Sequence, residues 1–262
     1  MARKEEPILV ERESTVATVV LNRPDKLNAL SRASWAELGK RVRELSADAE
    51  LRCVIFRGAG DKAFAAGADI SEFPDVRADS AQGRAYGELV YQTMQAISDC
   101  VHPTIAMIRG VCVGGGLEVA LCCDLRICSE GSRFGIPINR LGLTMGYGEL
   151  MKLLEVVGPA VAKEILLEGR VFGAQEALDK GLVHRIVADA ALEHEVRATV
   201  ARIAVGALLV ARWHKRFIRR LSVQPPLTEA ELNESYACFD SEDYREGLAA
   251  FLAKRDPRFR GK

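Results

Sequence analysis

Gly114-Gly115-Gly116-Leu117-Glu118 sets three glycines directly ahead of a carboxylate, at the mouth of an apolar run that continues to Cys123. Glycine lets backbone come close to a ligand, and the first turn of a helix offers N–H groups with no intrahelical acceptor and a partial positive charge. Such a turn suits an oxyanion or a phosphate. Glu118 would repel a resident anion, so the combination points to an acid or base working beside a negative charge that exists only during reaction. The simpler reading of Glu118 is a carboxylate complementing the helix dipole, worth about 0.3–1 kcal/mol. A second loop of small residues, Phe64-Ala65-Ala66-Gly67-Ala68-Asp69-Ile70, also follows a strand-like segment. Two backbone N–H groups from separate loops, aimed at one point, make an oxyanion hole, and both loops are small enough to admit a carbonyl oxygen.

These loops need strands behind them and helices ahead. Pro103-Thr104-Ile105-Ala106-Met107-Ile108 is a short apolar segment of the kind a buried strand supplies, and Leu117 to Cys123 reads as the helix after the glycines. Upstream, Thr15 to Leu21 reads as a strand ending in the turn cluster Asn22-Arg23-Pro24-Asp25. Ser31 opens a helix whose Trp35, Leu38, Val42 and Leu45 recur on one face. Cys53 to Phe56 is another buried strand; Ser71 to Gln82 reads as a polar loop, followed by a helix to about Cys100. Leu125–Cys128 and Leu182–Val187 read as strands, with helices over Leu150–Val157, Pro159–Leu167 and Ala174–Lys180. From about Asp189 only helices remain, so residues 1–190 form an α/β body and residues 191–262 a helical region.

Lys plus Arg and Asp plus Glu are both 36, and the zero net charge provides no global field for nucleic acid or an anionic membrane. Apolar runs fall short of a membrane span, and Met1-Ala2-Arg3-Lys4-Glu5-Glu6 leads into no signal-peptide core, so a soluble, cytoplasmic protein is expected. The seven cysteines sit mostly in apolar segments and read as buried thiols in a reducing compartment. Their spacing with four scattered histidines matches no metal site. Gly58-Ala59-Gly60-Asp61-Lys62-Ala63 fits a dinucleotide fingerprint formally, but a loop rather than a helix follows it. The basic stretch Arg212 to Arg220 carries Trp213, Phe217 and Leu221 at helical spacing, which reads as a packed or interface helix rather than an RNA-binding one.

Ala65-Ala66-Gly67-Ala68-Asp69-Ile70, Gly114 to Glu118, Cys123-Asp124, Phe134-Gly135, Leu141-Gly142, Glu246-Gly247 and Ala250-Phe251 together resemble the crotonase superfamily, also called the enoyl-CoA hydratase/isomerase superfamily. The match keeps the family's order from Leu21-Asn22-Arg23-Pro24 to Arg258-Phe259. It implies an α/β fold, a crotonase-like spiral of ββα units with a C-terminal helical trimerisation region. It implies an enzyme acting on acyl-CoA thioesters, with coenzyme A as part of the substrate, no tightly bound cofactor, and assembly as a homotrimer or as a hexamer of paired trimers. By the same resemblance the amides of Ala68 and Gly115 hold the thioester oxygen and stabilise an enolate, and Glu118 is the acid/base. Lys26, Leu27 and the loop Ala66 to Ala68 match positions that wrap the CoA. Phe251 and Lys254 match positions that reach the CoA of a neighbouring subunit. A lysine often found two residues after the aspartate of Gly-Ala-Asp is Ser71 here.

One departure bears on mechanism. The second catalytic glutamate of the hydratases follows Phe-Gly-X-Pro, and here Phe134-Gly135-Ile136-Pro137 is followed by Ile138, which moves no proton. Syn hydration uses two carboxylates, so hydration is expected to run below any single-base activity. Three routes stay open: Glu118 performs both transfers through one water; Asn139, Arg140, Tyr147 or Glu149 takes over the lost role; or the reaction is an isomerisation or decarboxylation needing one base. The alternative of another class is a catalytically weak member of the fold that binds acyl-CoA or RNA.

Overall fold

Three consecutive pairs of strands in the middle of this chain part company: the first of each pair joins one sheet, the second joins another, and a helix brings the chain back. The computed structural model describes residues 6–222, 228, 230 and 241–262. Strands β1 (Ile8–Glu13), β2 (Val16–Leu21) and β3 (Cys53–Gly58), helix α1 (Arg32–Ser46) between the last two, and strand β4 (Ala63–Ala65) begin the pattern. Helices α2 (Phe73–Val76) and α3 (Ser80–Ser98) lead to β5 (Thr104–Ile108), β6 (Val111–Val113) and α4 (Gly115–Cys122). Next come β7 (Leu125–Ser129), β8 (Arg133–Gly135), α5 (Tyr147–Glu168), β9 (Phe172–Gly173), α6 (Ala174–Asp179) and β10 (Arg185–Val187). The large sheet has the order β1-β2-β3-β5-β7-β10 and the small one β4-β6-β8-β9. Pairing is parallel except at β1 with β2 and β8 with β9. This is the spiral of ββα units that the motifs imply, and the parallel strands read as continuous apolar runs because both of their faces are covered.

Ser31 caps α1 by accepting the Ser34 N–H at 3.1 Å, and the helix buries Trp35, Leu38, Val42 and Leu45, the stripe read from their spacing. One continuous core runs from Val19 and Phe56 on the large sheet through those α1 side chains to Phe64, Leu117, Phe134 and Leu153. The described cysteines are buried in it or beside it. No described helix is long and apolar enough to cross a membrane.

Four stretches differ from the sequence reading. β1 is an edge strand with most of its side chains exposed, including Glu11, Arg12 and Glu13, so it lacks the apolar signature that marks its neighbours. Ser71 to Gln82, expected as loop, holds the 3-10 turn Ile70–Glu72, α2 and the start of α3. Side-chain caps start two of these pieces, the 3-10 turn and α3: Asp69 accepts from the Ser71 N–H at 3.3 Å and Asp79 from the Gln82 N–H at 2.8 Å. Of Leu182 to Val187, only the last three residues form a strand, β10. The two helices expected either side of Gly158 run on as α5, broken where Gly158 takes φ 69° and ψ 171° ahead of Pro159.

The chain divides into one compact unit of residues 1–100 and 104–196 and another of residues 101–103 and 197–262. The second is helical, with α8 (Leu208–Ser222, after α7, Leu192–Ala204) and a C-terminal helix Glu242–Leu252. Buried Asp243 fastens its tail by accepting from the amides of Arg260 and Gly261 at 2.6 and 2.9 Å.

Candidate active site

Gly114 has φ 52° and ψ −124°, a conformation closed to side chains with a Cβ, and this sharp turn sends β6 straight into α4. Two residues on, Gly116 rides directly against the Ala65–Ala68 loop: a Cβ there would lie 2.2 Å from the Ala65 carbonyl oxygen. The two small-residue loops, about fifty residues apart in sequence, are thereby brought together. A Cβ built on Gly115 would sit 3.6 Å from the Ala68 nitrogen. Neighbouring amides are already used, with the Asp69 N–H donating to Leu30 O at 2.9 Å and the Gly114 N–H to Gly135 O at 2.9 Å. Those of Ala68 and Gly115 have no backbone acceptor among the described residues, and both residues line one cavity.

The Ala66–Asp69 loop is held from behind by the turn Pro24–Lys26 and the residues after it. Ala66 N–H donates to Leu27 O at 3.0 Å, Leu30 N–H to Gly67 O at 2.7 Å, and Leu27 itself takes a left-handed φ of 50°. Asn28 is buried and spans this turn and the next strand, accepting from the Arg23 N–H and donating to Ala59 O and Ala63 O at 3.0 and 2.8 Å. Asp69 binds Arg23 at 2.7 Å and Lys26 at 2.9 Å. Burial alone would raise its carboxyl, but hydrogen bonds from Ser71, Lys26 and Arg23 outweigh that and hold it well below the usual range. Ser71, where the family often has lysine, thus serves the aspartate, its Oγ donating at 2.6 Å.

Glu118 points from the first turn of α4 into the same cavity and is only 7% exposed. The cavity's other walls come from Trp35, Tyr86, Ile138 and Met145, with two charged side chains, Arg77 and Glu149. Desolvation, then the charge of Glu149, push the Glu118 carboxyl up to about 8, against a smaller pull from Arg77. Glu149, in the first turn of α5, is also raised by burial, although its Oε2 accepts the Gly146 N–H at 2.7 Å. The Arg77 guanidinium stacks on the rings of Phe73 and Tyr86, 4.8 and 4.9 Å from their centroids. Tyr86 is raised to about 12, chiefly by burial, and Trp35 Nε1 approaches its hydroxyl without closing a well-formed hydrogen bond.

Among the residues singled out in the sequence, Ala66, Ala68, Gly115 and Glu118 meet in this cavity, and Ile138 lines it as an apolar wall. Lys26 and Leu27 lie on the supporting turn, with Lys26 half-exposed and bound to Asp69. Lys254 follows the C-terminal helix with φ 51°, and Phe251 lies in that helix, its side chain outside the described ones. Of the four groups weighed as substitutes for the absent glutamate, Glu149 alone lines the cavity; Tyr147 is 90% exposed, Asn139 donates to Leu167 O, and Arg140 is exposed. Arg77 was missed because a single arginine in a polar stretch carries no spacing signal. No group of three or more described His, Cys, Asp or Glu residues is placed to hold a metal.

The ββα spiral, in which two small-residue loops and a buried carboxylate line one cavity, is the fold of known acyl-CoA enzymes. The profile of the enoyl-CoA hydratase/isomerase family matches residues 11–262. The chain is 36% identical over 251 residues to a short-chain-enoyl-CoA hydratase of Clostridium acetobutylicum, covering 95% of each. It is 35% identical over 260 residues to a crotonyl-CoA hydratase of Syntrophomonas wolfei, covering 98% of this chain and 99% of that one. The crystal structure of an enoyl-CoA hydratase/carnitine racemase from Magnetospirillum magneticum superposes with a TM-score of 0.97 at 49% identity, covering 99% of this chain and 97% of that one. The chain belongs to the enoyl-CoA hydratase/isomerase family. It is an enzyme of the hydratase/isomerase type that transforms acyl-CoA thioesters.

Proposed function

We propose that this enzyme works through a thioester enolate whose oxygen rests on the amides of Ala68 and Gly115, with Glu118 moving the proton. The observation that carries this reading is the meeting, in one cavity, of a buried carboxylate and two amides without backbone acceptors among the described residues. As charge develops on the thioester oxygen, fixed donors in a site with little water stabilise it without reorganising, an effect worth about 3–4 kcal/mol per donor in other enzymes. A carboxyl titrating near neutrality is matched to proton exchange with carbon, because neither its acid nor its base form is scarce. The supporting turn at Lys26 and Leu27, with Ala66, would receive the CoA portion. Phe251 and Lys254 would serve a neighbouring subunit in a homotrimer or a hexamer of paired trimers. Exposed Ile218 and Leu221 on α8 support self-association. We place the protein in the cytoplasm.

The test is turnover of crotonyl-CoA and a 3-enoyl-CoA, together with exchange of the α-protons of butyryl-CoA in heavy water. Exchange reports enolate formation whichever reaction follows. It is expected in the wild type and lost in Glu118→Gln, while affinity for the thioester stays within about tenfold. Tight acyl-CoA binding with neither exchange nor turnover would instead establish a binding member of the fold.

A further inference from the structure

We infer that Glu149 is the second proton-transferring carboxylate of this site, delivered from the first turn of α5 to the cavity whose expected glutamate position is occupied by Ile138. The inference rests on the reading of Ala68, Gly115 and Glu118 as the reacting centre. Three observations carry it. Glu149 lines the same cavity as Glu118 and as both donor amides, and Ile138, the position that should have supplied a carboxylate, is part of the same wall. Gly148 fits α5 against α3 so closely that a Cβ would lie 2.3 Å from the Tyr91 ring, which fixes where the first turn of α5 stands. The Gly146 amide holds one carboxylate oxygen of Glu149 at 2.7 Å and leaves the other without a hydrogen-bond partner among the described residues.

Two carboxylates that feel each other's charge titrate as a pair, and at neutral pH such a pair shares one proton. Glu118, the more deeply buried, keeps the proton; Glu149, held by an amide, is the ionised partner. The charged and titratable side chains facing the pair are Arg77, after α2, and Tyr86 of α3. Hydration then balances. Glu149 takes one proton from water as the water oxygen bonds to the β-carbon, and the double-bond electrons move onto the thioester to form the enolate. The Glu118 carboxyl gives its proton to the α-carbon, the thioester carbonyl reforms, and the proton now on Glu149 returns to Glu118 before the next turnover. Hydration is therefore within reach of this chain without a glutamate at Ile138.

The experiment compares wild type, Glu118→Gln, Glu149→Gln and Glu149→Ala for crotonyl-CoA hydration and for α-proton exchange of butyryl-CoA. Gln at 149 retains an oxygen for the Gly146 amide, so it separates proton transfer from helix capping. Glu149→Gln is expected to lower kcat for hydration by roughly 10²–10⁴, with KM within about threefold and a melting temperature no lower than that of the wild type. The acid limb of the kcat/KM profile, assigned to Glu149, should vanish in that variant. If Glu118→Gln is inactive while Glu149→Gln hydrates within about threefold of wild type, the inference falls and the single-base reading of the site stands. Full activity in Glu149→Gln with loss of stability and activity only in Glu149→Ala would make Glu149 a helix cap and likewise overturn the inference. A wild type that neither hydrates crotonyl-CoA nor exchanges the α-proton would overturn the reading of the whole site.

Discussion

Glu118→Gln should alter how stability depends on pH, and the size of the effect follows from burial. The Glu118 carboxyl rises from its ordinary 4.5 to about 8, first because it is desolvated and second because Glu149 is charged nearby. At about 1.4 kcal/mol per tenfold change in proton affinity, that rise corresponds to at most about 5 kcal/mol. A raised carboxyl favours folding while it is protonated. The contribution is fully present below the unfolded value and is lost as pH climbs through the folded one, so the wild type should weaken between about pH 5 and pH 9. Gln cannot ionise, and removing the Glu118 charge also eases the ionisation of Glu149. The variant minus wild-type stability should therefore grow by about 2–5 kcal/mol over that range, the lower figure allowing for water that follows the charge into the cavity. Denaturant unfolding of both proteins at several pH values measures it, and titrations elsewhere, such as that of His184, cancel in the difference. Parallel curves for the two proteins would show that Glu118 is not a buried, raised carboxyl, and the proton-sharing argument would go with it.

Three further outcomes are expected. Gly116→Ala must push α4 away from the Ala65 carbonyl, costing about 1–3 kcal/mol and lowering kcat by roughly 10² as the Gly115 amide moves off target, read by thermal melting and turnover together. Asp69→Asn leaves Arg23 and Lys26 without their partner and should destabilise by about 2–3 kcal/mol at neutral pH; because the Asp69 carboxyl is held low, this difference should shrink as pH falls below about 4, whereas an unchanged difference in acid would deny the ion pairs their role. Ile138→Glu, made in the Glu149→Gln background, should recover at least about tenfold of the lost hydration, and no gain would mean that position 138 does not face the reacting carbons.

Much of the framework was legible in the chain. The Ser31 cap, the Trp35–Leu45 stripe and the apolar strands reflect local periodicity, and that periodicity survives in the fold because each of these segments buries the face it advertises. The two small-residue loops that meet in the cavity stood out in the sequence because each glycine and alanine run follows a strand-like segment. β1 was not legible, since an exposed edge strand carries little apolar contrast, and neither were the 3-10 turn after Asp69 and the start of α3, which depend on side-chain caps.

The sequence by itself determined the family, the two small-residue loops, Glu118 and the absence of a glutamate after Pro137, all of which are matters of residue type at a place in the chain. Which polar group faces that gap was a tertiary decision. Asn139, Arg140, Tyr147 and Glu149 are near neighbours in sequence, but only the helical start at Gly146 and the tight seat of Gly148 on Tyr91 turn Glu149 inward and leave Tyr147 in solvent. The raised carboxyl of Glu118 is likewise a product of packing, because desolvation and the proximity of a second charge exist only once α3, α4 and α5 close around the cavity.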